Sequence, residues 1–292
     1  MKRYSPAAAK QRGMAIISAL LIAAVVAVLA GAMLTRQSVF TRSLEAEQSR
    51  IQGQWLLQGS LERTRHMLWE ARQKDVLTRL DQPWARAQGG AFTGRVEDEQ
   101  GKFNLRNLVN RRQVDAEQLQ SFERLCRLIG VDPAVSRRVI QRVIASYDQL
   151  DQPARYPMLR SLHDLSGIDG LDPALLQRMQ AYISVLPDIT WVNGNTARAE
   201  VLSAVVPSLN LSQAQALVAE RDAGHWFINR GDFVNRLHLP QVAVDAVQVG
   251  ITSEWFRLQG QARQDQRRVT LDALLHRPEN QRPQVIWARV GV

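Results

Sequence analysis

The stretch QRGMAIISALL, residues 11–21, places a single glycine between a basic head and a long apolar run. The run from Met14 to Thr35 carries no charge, and as an α-helix it spans about 33 Å, which is enough to cross a bilayer core. Four positive residues precede it, namely Lys2, Arg3, Lys10 and Arg12. Positive charge before an apolar helix keeps that end in the cytoplasm. The sequence therefore predicts one membrane-spanning helix with a cytoplasmic N-terminal end.

The composition is that of a folded protein with room for one or two domains. Of the 292 residues 45% are apolar and 22% are charged, and the net charge is +9. Without the four basic residues at the N-terminus the rest carries about +5, a surplus that permits acidic partners without requiring nucleic acid. The single cysteine, Cys126, excludes an internal disulfide and any multi-cysteine metal site. Its surroundings, FERLCRLIG, predict a buried helical cysteine.

The apolar run continues into an amphipathic helix without a turn-forming residue. Phe40, Leu44, Ile51 and Trp55 follow at spacings of four and seven residues, as expected for one face of a helix. A single helix from Met14 to about Lys74 would be roughly 90 Å long. A cleavable secretory signal is the alternative, since the small residues at positions 30–32 offer a cleavage site of the A-x-A kind.

A short basic leader that ends in glycine, followed by an uncharged helical run and an amphipathic extension, resembles the type IV pilin and pseudopilin family. This resemblance implies that a membrane peptidase cleaves between Gly13 and Met14 and methylates the new amine. The apolar run is then retained. Most such subunits have glutamate at the fifth mature position, where this chain has Ser18. In lacking that glutamate the chain resembles the K-type minor pseudopilins of type II secretion. The resemblance implies a subunit that can enter the filament without a preceding subunit.

Residues 81–110 change in character and predict the first part of a sheet. Pro83 and the glycine pair at 89–90 break the helix, and residues 92–105 suggest two short strands around a turn at 98–101. The segment EDEQGKFNLRNL resembles the D-x-x-G-x-F-N-L-N-x-L stretch of K-type pseudopilins. It departs where Arg106 replaces the usual asparagine.

The region that follows is predicted to be helical up to residue 251. Apolar spacings of three and four indicate helices at Asp115–Ile129, Pro133–Tyr147, Pro173–Leu186 and Ser212–Asp222. After Gly250 three strand-length runs follow, and the period-two pattern of Val269, Leu271, Ala273 and Leu275 indicates a face that is buried. These strands are expected to join the earlier pair in one antiparallel sheet on the long helix.

The predicted fold class is thus α+β. A pilin-like long N-terminal helix packs on a small antiparallel sheet, and a large all-α insertion, built from modules similar to sterile-alpha-motif or helix-hairpin-helix units, lies between the sheet strands. The expected divisions are a cleaved leader at 1–13, a transmembrane segment at 14–35, the periplasmic part of the helix at 36–80, early sheet at 81–110, the insertion at 111–251 and the last strands at 252–292.

Two other functional classes stay open. WVNGNTARAEVL, residues 191–202, resembles a segment of competence-type DNA-binding proteins, in which a glycine-containing hairpin holds a phosphate. The hairpin expected here, VVPSLNLS at 205–212, has no glycine. A second helix-turn-helix copy in the insertion does have glycines, in GIDG at 167–170, but Asp169 lies between them and would repel a phosphate. Nucleic acid is therefore not the expected partner. A minor pilin or adhesin of a type IV pilus is the third class.

The sequence predicts no enzyme. It contains no Walker or G-x-G-x-x-G loop, no H-E-x-x-H and no G-x-S-x-G. The acidic run Glu97-Asp98-Glu99 could supply oxygen ligands to calcium. We interpret this run as a solvated turn, and no cofactor or metal ligand is assigned.

The resemblance implies a minor pseudopilin at the tip of the type II secretion pseudopilus. Such a subunit would nucleate assembly, limit growth and support export of folded proteins across the outer membrane. The implied partners are the I-, J- and H-type minor pseudopilins, the major pseudopilin, the prepilin peptidase and the inner-membrane assembly platform. The chain would cross the inner membrane once with its C-terminal domain in the periplasm. A helix bundle would bury Phe40, Leu44, Ile51 and Trp55.

Overall fold

The computed structural model describes residues 7–87, 89–90, 92–150, 152–244, 247–264 and 267–291. Its first element is α1, Ala7–Lys74, an uninterrupted helix of 68 residues. The predicted end at Lys74 is confirmed, while the helix begins seven residues before the predicted start and so includes part of the predicted leader. Residues 1–6, the rest of that leader, lie outside the described residues. Because no glycine pair or proline interrupts residues 14–74, the helical hydrogen bonds continue throughout.

The chain forms two compact units, residues 1–55 and 56–292. In the first unit, the described apolar side chains from Met14 onward are exposed along the helix. The segment Met14–Glu45 is long and apolar enough to cross a membrane, with a mean hydropathy of 2.7 in its best window. This agrees with the predicted membrane segment.

In the second unit, a four-stranded sheet packs on the end of α1. Its strands are β1 (Phe92–Asp98), β8 (Trp255–Gln264), β9 (Arg267–His276) and β10 (Gln284–Gly291). They lie in the order β1-β8-β9-β10, with all neighbours antiparallel. Apolar residues of the helix and of β1, β8 and β9 form one buried cluster that includes Leu57, Leu61 and Leu68.

The insertion between β1 and β8 has its own hydrophobic core, distinct from that of the helix and sheet. Its helices begin after side-chain caps such as Asp115, Asp132 and Asn210, as the sequence indicates. The helices are α2 (Ala116–Leu128), α3 (Pro133–Ile144), α4 (Pro173–Met179), α5 (Ala199–Val205), α6 (Leu211–Asp222) and α7 (Arg230–Arg236). Short two-residue strands connect them: β2 (Phe103–Asn104), β3 (Val109–Asn110), β4 (Gln113–Val114), β5 (Ile183–Ser184), β6 (Val192–Asn193) and β7 (Val249–Gly250).

Two local predictions were wrong. The two strands expected around the turn at 98–101 do not pair with each other: β1 pairs with β8, whereas β2 pairs in parallel with β5 of the insertion. The side chain of Asp98 accepts from the Gln100 backbone and starts a 3-10 turn that sends β2 away from the sheet. The helix expected at Pro173–Leu186 ends at Met179, because the chain continues into β5.

Two other predictions are confirmed. Val269, Leu271, Ala273 and Leu275 on β9 are all buried. Cys126 is buried in α2, and desolvation raises the pKa of its thiol to about 11, so that it stays protonated at neutral pH and unreactive.

Candidate functional site

The predicted processing site lies within α1. Gly13 and Met14 are consecutive helical residues, and the side chain of Met14 is exposed. Ser18 follows one turn later, and its hydroxyl donates to the Ala15 carbonyl at 3.0 Å. A hydroxyl that forms its hydrogen bond within its own helix adds little to the free energy of placing that helix in lipid, whereas a carboxylate in lipid needs a partner of opposite charge. At position 18 the helix therefore has no charge that a neighbour must neutralise.

The four residues predicted for the helix bundle lie on one stripe of α1. At 3.6 residues per turn, positions 40, 44, 51 and 55 fall within roughly 60° around the axis. Their exposed fractions are 63% for Phe40, 54% for Leu44, 42% for Ile51 and 72% for Trp55. Contiguous exposed apolar surface of this kind is uncommon on proteins that act alone and usually marks an interaction site.

A second group of polar residues connects the sheet to the insertion. This junction cluster consists of Thr78, Asp98, Asn193, Thr196, Ser253 and Arg277. The Oδ2 atom of Asp98 accepts from Asn193 Nδ2 at 3.0 Å and from the hydroxyls of Thr196 and Ser253, both at 2.6 Å. Desolvation by burial raises the pKa of Asp98, although the three side-chain donors oppose that shift.

Asn193 and Arg277 complete the junction cluster. Asn193 Nδ2 also reaches the Thr78 carbonyl at 3.1 Å and Ser253 Oγ at 2.8 Å. The guanidinium of Arg277 donates to Thr78 Oγ1 at 2.8 Å and to the Ser253 carbonyl at 2.7 Å. Burial lowers the pKa of Arg277 to about 10, and the charge of Asp98 partly offsets this. The cluster thus fixes the points where the chain leaves the sheet for the insertion and returns to it.

The acidic run beside this cluster is not the solvated turn that we predicted. Asp98 and Glu99 are buried, and Lys102 Nζ donates to Glu99 Oε1 at 2.6 Å and to Glu97 Oε2 at 2.9 Å. Burial lowers the pKa of Lys102, but Glu99 and Glu97 more than offset this, so that the pKa lies above its ordinary value. The ammonium of Lys102 therefore occupies the place among these carboxylates that a calcium ion would take. Among the described residues, no group of three or more acidic, histidine or cysteine side chains is arranged to hold a metal.

Most of the segment that suggested DNA binding is buried, although Trp191 and Arg198 are exposed. Asn193 and Asn195 are fully buried, and Asn195 exchanges two hydrogen bonds with the Phe227 backbone, each at 2.9 Å. Side chains in this position cannot contact a nucleic acid. In the hairpin between α5 and α6, Ser208 occupies a left-handed conformation (φ 64°) that glycine usually adopts. In the GIDG turn at 167–170 Asp169 forms an ion pair with Arg138 at 3.3 Å.

Sequence reasoning missed three residues of these buried polar contacts: Thr78, Lys102 and Arg277. Lys102 carried a signal, because it is one of four lysines in an arginine-rich chain and lies beside three acidic residues. Arg277 carried none, since RPENQRP is the composition of an ordinary hairpin turn. Thr78 lies in a short connection whose partners come from residues more than 100 positions away.

Comparison with known proteins agrees with this geometry. Two family models, both described as Type II secretion system (T2SS), protein K, match residues 101–188 and 192–252. The Klebsiella pneumoniae type II secretion system protein K is 31% identical over 74% of this chain and 77% of its own length. The protein K of Pseudomonas aeruginosa is 26% identical over 96% of this chain and 93% of its own. The crystal structure of the GspK-GspI-GspJ complex from enterotoxigenic Escherichia coli aligns with a TM-score of 0.67 and 16% identity, over 85% of this chain and 99% of that chain.

A long apolar helix that packs on an antiparallel sheet, with a helical domain inserted between strands, defines a pilin-like subunit. Within that class, this chain belongs to the type II secretion system protein K family. It is a minor pseudopilin, a structural protein and not an enzyme. The competence-type DNA-binding alternative is thereby excluded as the family of this chain.

Proposed function

We propose that this minor pseudopilin forms the tip of the type II secretion pseudopilus, where it nucleates assembly and limits further growth. Family membership supports the general role, and Ser18 supports the position. A glutamate at residue 18, inside the apolar run, would be costly to place in the membrane unless a preceding subunit neutralised it. With serine there, the subunit can enter the filament first.

The anchor determines where the protein works. Peptidase cleavage between Gly13 and Met14 leaves the helix in the inner membrane, because no charged residue occurs between Met14 and Thr35. The positive leader keeps the N-terminal end cytoplasmic, so residues beyond the apolar run enter the periplasm. The divisions at residues 13 and 35 follow from this arrangement, and those at 80 and 251 remain part of the proposal. The division at 110 is too late, because β2 and β3 already belong to the insertion.

The partners are the other minor pseudopilins, above all those of the I and J types. The similar E. coli structure is that of a complex of GspK with GspI and GspJ. In this chain the exposed stripe Phe40, Leu44, Ile51 and Trp55 supplies an apolar face for two such helices. The H-type and major pseudopilins would then follow below, and the inserted helical domain would leave no room for a subunit above.

Co-purification tests the role of the stripe. Wild type, the variant Leu44→Asp and the control Val114→Asp are expressed with tagged I- and J-type subunits in cells that lack the native protein. Val114 is exposed in the insertion and lies outside the stripe. We expect Leu44→Asp to lose the complex and enzyme secretion while Val114→Asp keeps both. Equal recovery of all three would contradict the proposal, and loss of surface attachment without loss of secretion would favour an adhesin of a type IV pilus.

A further inference from the structure

The last strand, β10, forms one edge of the four-stranded sheet. Among the described strands it pairs with β9 alone. Its outer side is therefore a row of main-chain N–H and C=O groups with which another strand can pair. The pairing with β9 shifts between Val285 and Trp287 and is regular from Trp287 to Gly291. A regular edge of this length matches an ordinary short strand.

The face of β10 beside the helix is apolar and uncovered. Directly opposed residues of an antiparallel pair share a face, and Val290 opposes Leu271 while Ala288 opposes Ala273. Leu271 is 3% exposed in the cluster that includes α1, whereas Val290 is 51% exposed. The described part of that cluster includes no residue of β10. The cover that α1 provides thus ends at β9.

The two edges of the sheet differ in a way that indicates a role for β10. Natural edge strands carry charges that discourage pairing with other chains, and β1 has Arg95 and Glu97, joined by an ion pair at 2.8 Å. β10 has one charged residue, Arg289, and exposes Val285, Ile286 and Val290. An unguarded apolar edge is typical of an interaction surface.

The charges near β10 define the partner further. Arg289 stacks on the Trp287 ring at 5.1 Å and donates to Ser161 Oγ at 3.2 Å. Arg282 is exposed just before the strand. Across the residues that the structure describes, neither arginine has a carboxylate within ion-pair distance. The edge therefore complements a segment with negative charge.

We propose that the free edge of β10 binds an extended segment of another protein by strand addition, and that this segment carries apolar side chains and at least one carboxylate. In this recognition mode main-chain hydrogen bonds provide affinity, and side chains on alternate positions provide specificity. The surface involves β10 and its flanking arginines, and does not depend on where the subunit lies in a filament.

Binding of defined peptides to the full chain in detergent micelles tests this, with fluorescence anisotropy as the readout. The probes are an eight-residue peptide of alternating valine and glutamate, its valine–lysine counterpart, and the valine–glutamate peptide with alternate backbone nitrogens methylated. We expect the first to bind, and the other two to bind at least tenfold more weakly. We expect Val290→Lys to weaken the first by at least tenfold and Ile228→Lys, at an exposed site in the insertion, to leave it unchanged.

Equal binding of the valine–glutamate peptide and its methylated form would overturn strand addition, because methylation removes main-chain donors and blocks the pairing edge while the side chains stay the same. Equal binding of the lysine peptide would overturn the requirement for a carboxylate. Unchanged binding to Val290→Lys would overturn the assignment to β10. Concentration-dependent dimerisation of the full chain that Val290→Lys abolishes would also overturn the proposal, since β10 would then join two copies of this chain.

Discussion

Replacing Lys102 by methionine is expected to destabilise the second unit strongly. The ammonium and its partner Glu99 are only 8% and 5% exposed, and their charged atoms lie 2.6 Å apart. Methionine is of similar length, so the main cost is the carboxylate left buried and unpaired. Glu97 retains Arg95 at 2.8 Å, whereas Glu99 has no second cation at such a distance among the described residues. Removing one partner of a buried ion pair costs about 3–5 kcal/mol.

Urea and thermal unfolding of the full chain in detergent measure this cost, with tryptophan fluorescence, to which the buried Trp84 and Trp255 contribute, as the signal. For a unit of this size the loss corresponds to about 6–20 °C in Tm. Lys74→Met, at an exposed site, is the matched control and should change stability by less than about 0.5 kcal/mol. The double variant Lys102→Met with Glu99→Leu should recover most of the loss.

The loss should also depend on pH. Burial raises the pKa of Glu99 even when Lys102 opposes that shift, and it raises it further without the lysine. A carboxyl whose pKa is higher in the folded chain than in the unfolded chain makes stability fall as pH rises through the folded value. The variant should therefore lose less stability at pH 5 than at pH 8. A loss below about 1 kcal/mol, or one equal at both pH values, would refute the assignment of Lys102 as the counter-ion.

Three further predictions concern other residues. Gly13→Leu should leave an uncleaved precursor in the membrane, seen as a larger band on immunoblots, and normal processing would contradict the assigned site. Ser18→Glu should reduce filament initiation and secretion while the melting temperature of the periplasmic part is unchanged. Full secretion by this variant would contradict the role that we assign to the absence of a carboxylate at residue 18. Asp98→Asn should cost about 1–3 kcal/mol, because an amide nitrogen would meet donors. Burial raises the pKa of Asp98, so the free energy of unfolding of the wild type falls as pH rises, while that of the asparagine variant does not depend on this group. The difference in stability between the two proteins should therefore be larger at pH 4 than at pH 7. The reverse trend in urea unfolding would show that the pKa of Asp98 is lowered.

The sequence was sufficient for features whose cause is local. The uncharged run from Met14 and the spacing of Phe40, Leu44, Ile51 and Trp55 predict one long helix, and the alternation in β9 predicts its buried face. Helix starts at Asp115 and Asn210 were also predictable, because their side chains bond to backbone groups two or three residues away.

Features that depend on distant partners were not predictable in the same way. Alternation around residues 92–105 indicates strands but not that β2 pairs with β5, about 80 residues later. The run Glu97-Asp98-Glu99 favours a solvated turn when its neighbours alone are considered, because a carboxylate is buried only where donors are supplied. Those donors come from Asn193, Thr196 and Ser253, and the pattern of residues near Asp98 contains no sign of them.

The most direct test of the account is intact-mass and N-terminal peptide analysis of the protein extracted from the inner membrane. A retained helix processed as in pilins predicts a mature chain that begins at Met14 with a methylated amine. A chain that begins at Met33 and is found free in the periplasm would show that the apolar segment is a discarded signal, and the proposed place of the subunit in a filament would be wrong.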